Sequence, residues 1–275
     1  MQRFHFYLPE GSLVPPPSDL AEHLLASPGV SLDAGADYRP GRWCEAATGA
    51  RAILDVGEPP IEADPMHPSR AYLGWSALAL VVQLPLVGPH WQAVEGFQLL
   101  ESLLARLGHE VRALDCEDIQ ETPASEPGPF AWSRPRVLAS WERQHAVQVA
   151  TRTDLARMHR GDSLRLWRWR RERAAASVAH PGLLWPEARV LRDRVTATAF
   201  PTAVWSDPLR PAALPGAGLV LLMLPGGPRL VRRGELPPGA ALPVAGASQV
   251  DPPGRWPDGL PPGRFAACLD EDWVD

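Results

Sequence analysis

The residues of this chain with the densest chemistry lie at 165–173, RLWRWRRER, where arginines alternate with tryptophans. A guanidinium pairs with phosphate or carboxylate, and an indole stacks on a base or fills a pocket in a partner. Trp167, Arg168, Trp169 and Arg170 are therefore candidate partner-binding residues. The same pattern also describes an amphipathic helix. Leu164, Trp167 and Arg171 would then share one side, with arginine stems covering apolar surface. A second group closes the chain: Asp270, Glu271, Asp272 and Trp273, followed by Asp275. An acidic stretch around an exposed tryptophan anchor would suit a basic partner.

Other chemistry is sparse. A phosphate loop of the GxxxxGK[ST] type is excluded because the chain has no lysine, and no GxGxxG follows a strand. The eight histidines are isolated, with no HxxxH or HxH pair. Glu62, Asp64 and His67 form the one local group with ligand-like chemistry, and Asp115, Glu117, Asp118 and Glu121 lack calcium-loop spacing. These carboxylates read as a solvated acidic loop. GxSxG is absent, and nothing in the spacing supports a Cys44–His90 pair. Three cysteines, Cys44, Cys116 and Cys268, make neither a disulfide framework nor a zinc set, and read as small buried hydrophobes. No catalytic residue, cofactor or metal is assigned.

The elements that would position these groups follow from periodicity. Residues 3–8 (RFHFYL) read as a strand, and Ser18 as the N-cap of a short helix over 19–26. Residues 43–56 read as a hairpin with Thr48 and Gly49 at its turn. The strongest unit runs from 78 to 115. It has an apolar strand (78–84), a helix (90–107) with Leu99, Leu103 and Leu107 at i, i+4 spacing, Gly108 closing it, and a strand at 111–114. This predicts a β-α-β crossover with parallel strands. Ligands of open parallel sheets favour the carboxyl ends of strands. A small-molecule pocket would then be lined by His90, Trp91, Asp115 and Asp118.

Downstream, 136–150 predicts a helix, and a further helix capped by Asp162 or Ser163 runs to about 176. Strands are predicted at 199–205 and 218–224, with 229–232 pairing back across the Pro225-Gly226-Gly227-Pro228 turn. Proline- and glycine-rich loop follows from 235. The fold class is mixed α+β: an N-terminal sheet containing the β-α-β unit with helices packed on it, then two helices and a β-rich, proline-rich end. Residues 1–121 would form one subdomain, 122–135 a linker and 136–275 a second subdomain, unless the chain is one continuous domain.

Composition sets the remaining bounds. Hydrophobic residues make up 45% and charged residues 21%, enough for a packed core and unlike a disordered chain. All 27 basic residues are arginine, a bias that a GC-rich genome explains without selection for phosphate. The net charge of −5 argues against nucleic-acid binding by the whole chain. No segment reaches the roughly 18 apolar residues of a membrane helix. The N-terminus lacks a signal-peptide core, so a cytoplasmic location is expected.

One resemblance adds to this reading. It rests on Thr48-Gly49, an apolar strand ending at Pro85, Glu95 on the next helix, Asp115 after the next strand, Ser140-Trp141, Trp205-Ser206-Asp207-Pro208 and Leu214-Pro215. In that order the chain resembles proteins of GC-rich, myxobacteria-like genomes that accompany secreted toxins, as immunity partners or conflict-system accessories, type VI immunity among them. The resemblance implies a non-enzymatic protein that docks onto or neutralises another protein, and it carries over no catalytic residue. The alternatives are an enzyme with its site near His90 and Asp115, or a structural component of a larger assembly.

Overall fold

The computed structural model describes residues 1–35, 37–57, 73–108, 110–116, 128–215, 218–242, 247–261 and 263–275. It is a mixed α+β fold in two compact units, Met1–Thr151 and Arg152–Asp275. The change of unit thus follows the helix over 134–150 and does not fall at 122–135. Among the described residues no helix is long and apolar enough to cross a membrane.

The first unit is built on a six-stranded sheet. Its strands are β1 (Gln2–Pro9), β2 (Val30–Leu32), β3 (Tyr38–Cys44), β4 (Arg51–Gly57), β5 (Trp75–Leu84) and β6 (Arg112–Asp115), in the order β2-β3-β4-β5-β1-β6. Its helices are α1 (Pro17–Leu25), α2 (His90–Leu107) and α3 (Arg134–Ala150). The run RFHFYL is apolar on both parities because β1 lies inside the sheet, where Phe4, Phe6 and Tyr7 are all buried.

This placement changes the expected crossover. β5 and β6 both pair antiparallel with β1, so they run parallel to each other but with β1 between them. α2 spans two strand spacings and leaves the central slot to the aromatic strand. Its bounds agree with the periodicity, and Gly108 ends it at φ 111°, where a Cβ would be strained. Phe97 meets Phe4 edge-on at 6.3 Å. Gly96 lets α2 approach the sheet: a methyl there would lie 2.6 Å from Leu84 Cδ2.

The predicted hairpin is the β3–β4 pair, closed by the loop that holds Thr48 and Gly49. α1 begins two residues earlier than expected and without Ser18 as its cap. Pro16 occupies the N-cap position, and proline at the first helical position needs no N–H partner there.

The second unit carries β7 (Ala156–Arg157), α4 (Arg160–Ala179), β8 (Glu187–Asp193), β9 (Ala199–Trp205), β10 (Ala212–Leu214), β11 (Leu219–Leu224), β12 (Gly227–Arg232), β13 (Ala240–Ala241), β14 (Ser248–Val250), β15 (Phe265–Cys268) and β16 (Trp273–Val274). Its main sheet has the order β12-β11-β9-β8-β15, with β9 and β11 parallel and the other pairs antiparallel. A small sheet, β10-β14-β13, accompanies it, and a core cluster gathers Trp205, Leu214, Val220, Leu222, Val231 and Val250. The chain end returns as β16, parallel to β7.

α4 departs from its predicted start. His159, not Asp162 or Ser163, caps it, and its Nδ1 accepts from the Gly161 N–H at 3.1 Å. Asp162 instead accepts from Arg165 at 2.5 Å. The buried face also differs from the expected Leu164–Trp167–Arg171 stripe. Ser163, Leu166, Trp169 and Ala176 turn inward, while Leu164 and Arg171 are exposed. Apolar residues lie on both sides of this helix, so its spacing alone could not choose between them. Trp169 decides it by stacking on Trp185 at 5.5 Å and donating its indole N–H to the Pro186 carbonyl at 3.1 Å.

Candidate functional site

At the carboxyl ends of β5 and β6, the predicted pocket residues are spent on structure. Trp91 and Asp115 are each 2% exposed, and Asp115 accepts from the Gln2 amide at 2.6 Å. Asp118 lies outside the described residues, as do Glu117 and Glu121, and Glu62, Asp64 and His67 of the other acidic group. His90 stays near the surface and pairs its Nε2 with Glu142 of α3 at 3.3 Å.

Around His90 the fold assembles a group that spacing did not reveal. Trp141 of α3 meets His90 edge-on at 5.7 Å and stacks flat on His145 at 4.4 Å. The Trp141 indole donates to the Pro85 carbonyl at 2.9 Å, and His145 Nδ1 bonds the Leu86 carbonyl at 2.7 Å. The arrangement fastens α3 to the loop after β5. A His–Glu pair of this kind can move a proton.

Several positions behind the resemblance are buried in the same way. Thr48 donates its hydroxyl to Glu95 in a buried hydrogen bond that ties the β3–β4 loop to α2. Ser140 and Trp141 are buried, and the Trp205 indole is held by the Asp207 and Arg210 carbonyls at 2.9 and 3.1 Å.

In the second unit, the two predicted partner-binding segments meet each other. Arg170 binds Asp270 through two contacts, at 2.7 and 3.3 Å, and Asp270 also accepts from the Trp273 indole at 3.2 Å. Trp273 is fully buried, which corrects the expectation of an exposed anchor; Trp169 is fully buried too. A tryptophan between charges has a large apolar area to hide, and the returning chain end supplies the cavity. Asp272 accepts from the Leu269 N–H at 3.2 Å, and Glu271 remains exposed.

What α4 leaves outward is a different set. Leu164, Arg168, Arg171, Ala174, Ala175 and Val178 are exposed, and Val178 keeps 81% of its surface in water. Trp167 is half-buried, with the Arg171 guanidinium 5.3 Å from its ring centre. Arg160 and Arg165 add positive charge to the first turns, against Asp162 and Glu172.

The second unit also carries two grooves among its described residues. One of about 400 Å³ is apolar and lies between Leu209, the Pro225–Pro228 turn and Trp256. The other, of about 450 Å³, is polar and lies between Asp154, Arg192, Arg194, Cys268 and Asp272. Cys268 lines the latter as a half-buried thiol. Burial, and then the Asp272 carboxylate, push it up to about 11. The cysteines are thus not the buried hydrophobes expected, since Cys44 is exposed and Cys116 half-buried. Among the described residues no three His, Cys, Asp or Glu side chains converge as a metal ion would require.

Comparisons with protein families, curated proteins and solved structures find no match to this chain.

Proposed function

We propose that this chain is a protein-binding protein, immunity-like in role, that docks an acidic surface of its partner against the outward side of α4. The observation that carries the reading is that α4 has two faces of interface quality and uses one. Leu166 and Trp169 are in the core, while Leu164, Trp167 and Val178 line the other side among arginines. An aromatic anchor rimmed by guanidinium groups is the composition of a binding hot spot. A 20-residue helix is about 30 Å long, a span that suits a patch of about 800 Å² per partner. The positive rim selects a negative counterpart and steers its approach.

The test is co-expression and co-purification with the product of the adjacent gene, using the wild type, Trp167→Ala and Arg168→Glu/Arg171→Glu. Truncating a hot-spot anchor costs about 2 kcal/mol or more, a loss of roughly 30-fold in affinity. The charge reversal should slow association and abolish its salt dependence. Unchanged circular dichroism would show that both variants fold. A partner that fails to co-purify, or one that holds the variants as tightly as the wild type, refutes the proposal.

A further inference from the structure

We infer that the polar groove of the second unit is a binding site for a small zwitterion of amino-acid or dipeptide size, one that carries both a carboxylate and an ammonium group. Its volume of about 450 Å³ lies within the usual range for small-ligand sites. The case rests on which lining groups are already engaged. Asp154 is held by Arg152 through two contacts of 2.6 Å, which keep its carboxyl at about 2, and Arg192 donates to the Asp154 carbonyl at 2.6 Å. These groups are thus engaged with one another along one side of the groove.

Two groups of opposite sign retain capacity. Arg194 is exposed, and its guanidinium has no ion-pair partner among the described residues. Asp272 engages one carboxylate oxygen with the Leu269 N–H. A plain anion would meet the carboxylates of Asp154 and Asp272, and a plain cation would meet Arg192 and Arg194. A ligand with both charges satisfies both ends, and a guanidinium fork is well suited to a carboxylate. β15 lines the groove with the small side chains of Ala266, Ala267 and Cys268, leaving room for a short apolar body. The neutral thiol is a passive wall there, not a nucleophile.

This inference is independent of the α4 proposal, and its test uses the full chain. L-alanyl-L-alanine, acetate and ethylammonium are titrated separately by calorimetry against the wild type, Arg194→Gln and Asp272→Asn. The dipeptide should bind the wild type at millimolar concentration or below, and each substitution should weaken it about tenfold, the scale of one charge-assisted hydrogen bond. Both substitutions fall on surface-accessible side chains, and unchanged melting temperatures would show that both variants are folded. No binding of the dipeptide, equal binding of acetate or ethylammonium, or binding insensitive to both substitutions would each overturn the inference.

Discussion

Replacing Asp270 with alanine tests whether the chain end is a structural clasp. The carboxylate serves two partners, the Arg170 guanidinium and the buried Trp273 indole. The Arg170 and Asp270 side chains are only 16% and 14% exposed. Removing one partner of a buried ion pair costs about 3–5 kcal/mol, because the charge that remains loses that counterion. Here some water reaches the guanidinium, so the lower end of that range applies, while the stranded indole N–H adds about 1 kcal/mol. We expect a loss of about 3–4 kcal/mol. The exposed pair Arg189–Glu187, with side chains 65% and 58% exposed, is the internal control. Such a pair contributes about 0–1 kcal/mol, so Glu187→Ala should scarcely register. Urea unfolding followed by circular dichroism reads both variants, and Arg170→Ala/Asp270→Ala completes a cycle. The double variant should cost less than the sum of the singles, since the interaction between the two charges is then counted only once. If Asp270→Ala unfolds like Glu187→Ala, or if the cycle is additive, the clasp does not exist.

Other contacts lead to further expected outcomes. Gly96→Ala gains up to about 1 kcal/mol of helix propensity but drives a methyl against the buried Leu84, which costs about 1–3 kcal/mol. Thermal unfolding should show a net loss, and a rise in melting temperature would contradict the close approach of α2 to β5. The pH dependence of the urea midpoint should have two limbs. Arg264 binds Asp193 at 2.7 and 2.9 Å and holds its carboxyl at about 2, below the ordinary value near 3.9. That stabilisation is complete above about pH 4 and is lost as pH falls toward 2. Burial, then the hydrogen bond to Asp55, push Tyr38 up to about 12. Its stabilisation is complete below about pH 10 and is lost as pH rises toward 12. Asp154 shares the acid limb and Cys268 the alkaline one, so Asp193→Asn should reduce the first and Tyr38→Phe the second without abolishing them, and a limb unchanged by its substitution would remove that assignment.

Much of the candidate chemistry in the sequence turned out to be scaffolding, for a shared reason. Asp115, Glu95 and Trp141 look functional in a list of polar and aromatic residues. Each is buried with its polar atom engaged by a residue or carbonyl from another element. Type and spacing record that a group is polar, not whether its partner is a ligand or another part of the chain. The Arg–Trp run and the acidic tail were each read as facing a partner, and they face one another across 100 positions. The polar groove was harder still to find. Its walls come from the segment before β7, the end of β8 and β15, and the only local signal was arginine on either side of Asp193.

Local pattern determined what local energetics control. The long amphipathic helix α2 with its glycine stop, the strands β9 and β11, and the β3–β4 and β11–β12 hairpins all follow from side-chain period and turn chemistry within a few residues. Tertiary structure decided the rest: that β1 separates β5 from β6, which side of α4 is buried, and that Trp273 is core. Those choices turn on contacts between segments far apart in the chain. Two apolar faces of one helix, or two slots in one sheet, have similar local free energies until the distant surface that will cover one of them is in place.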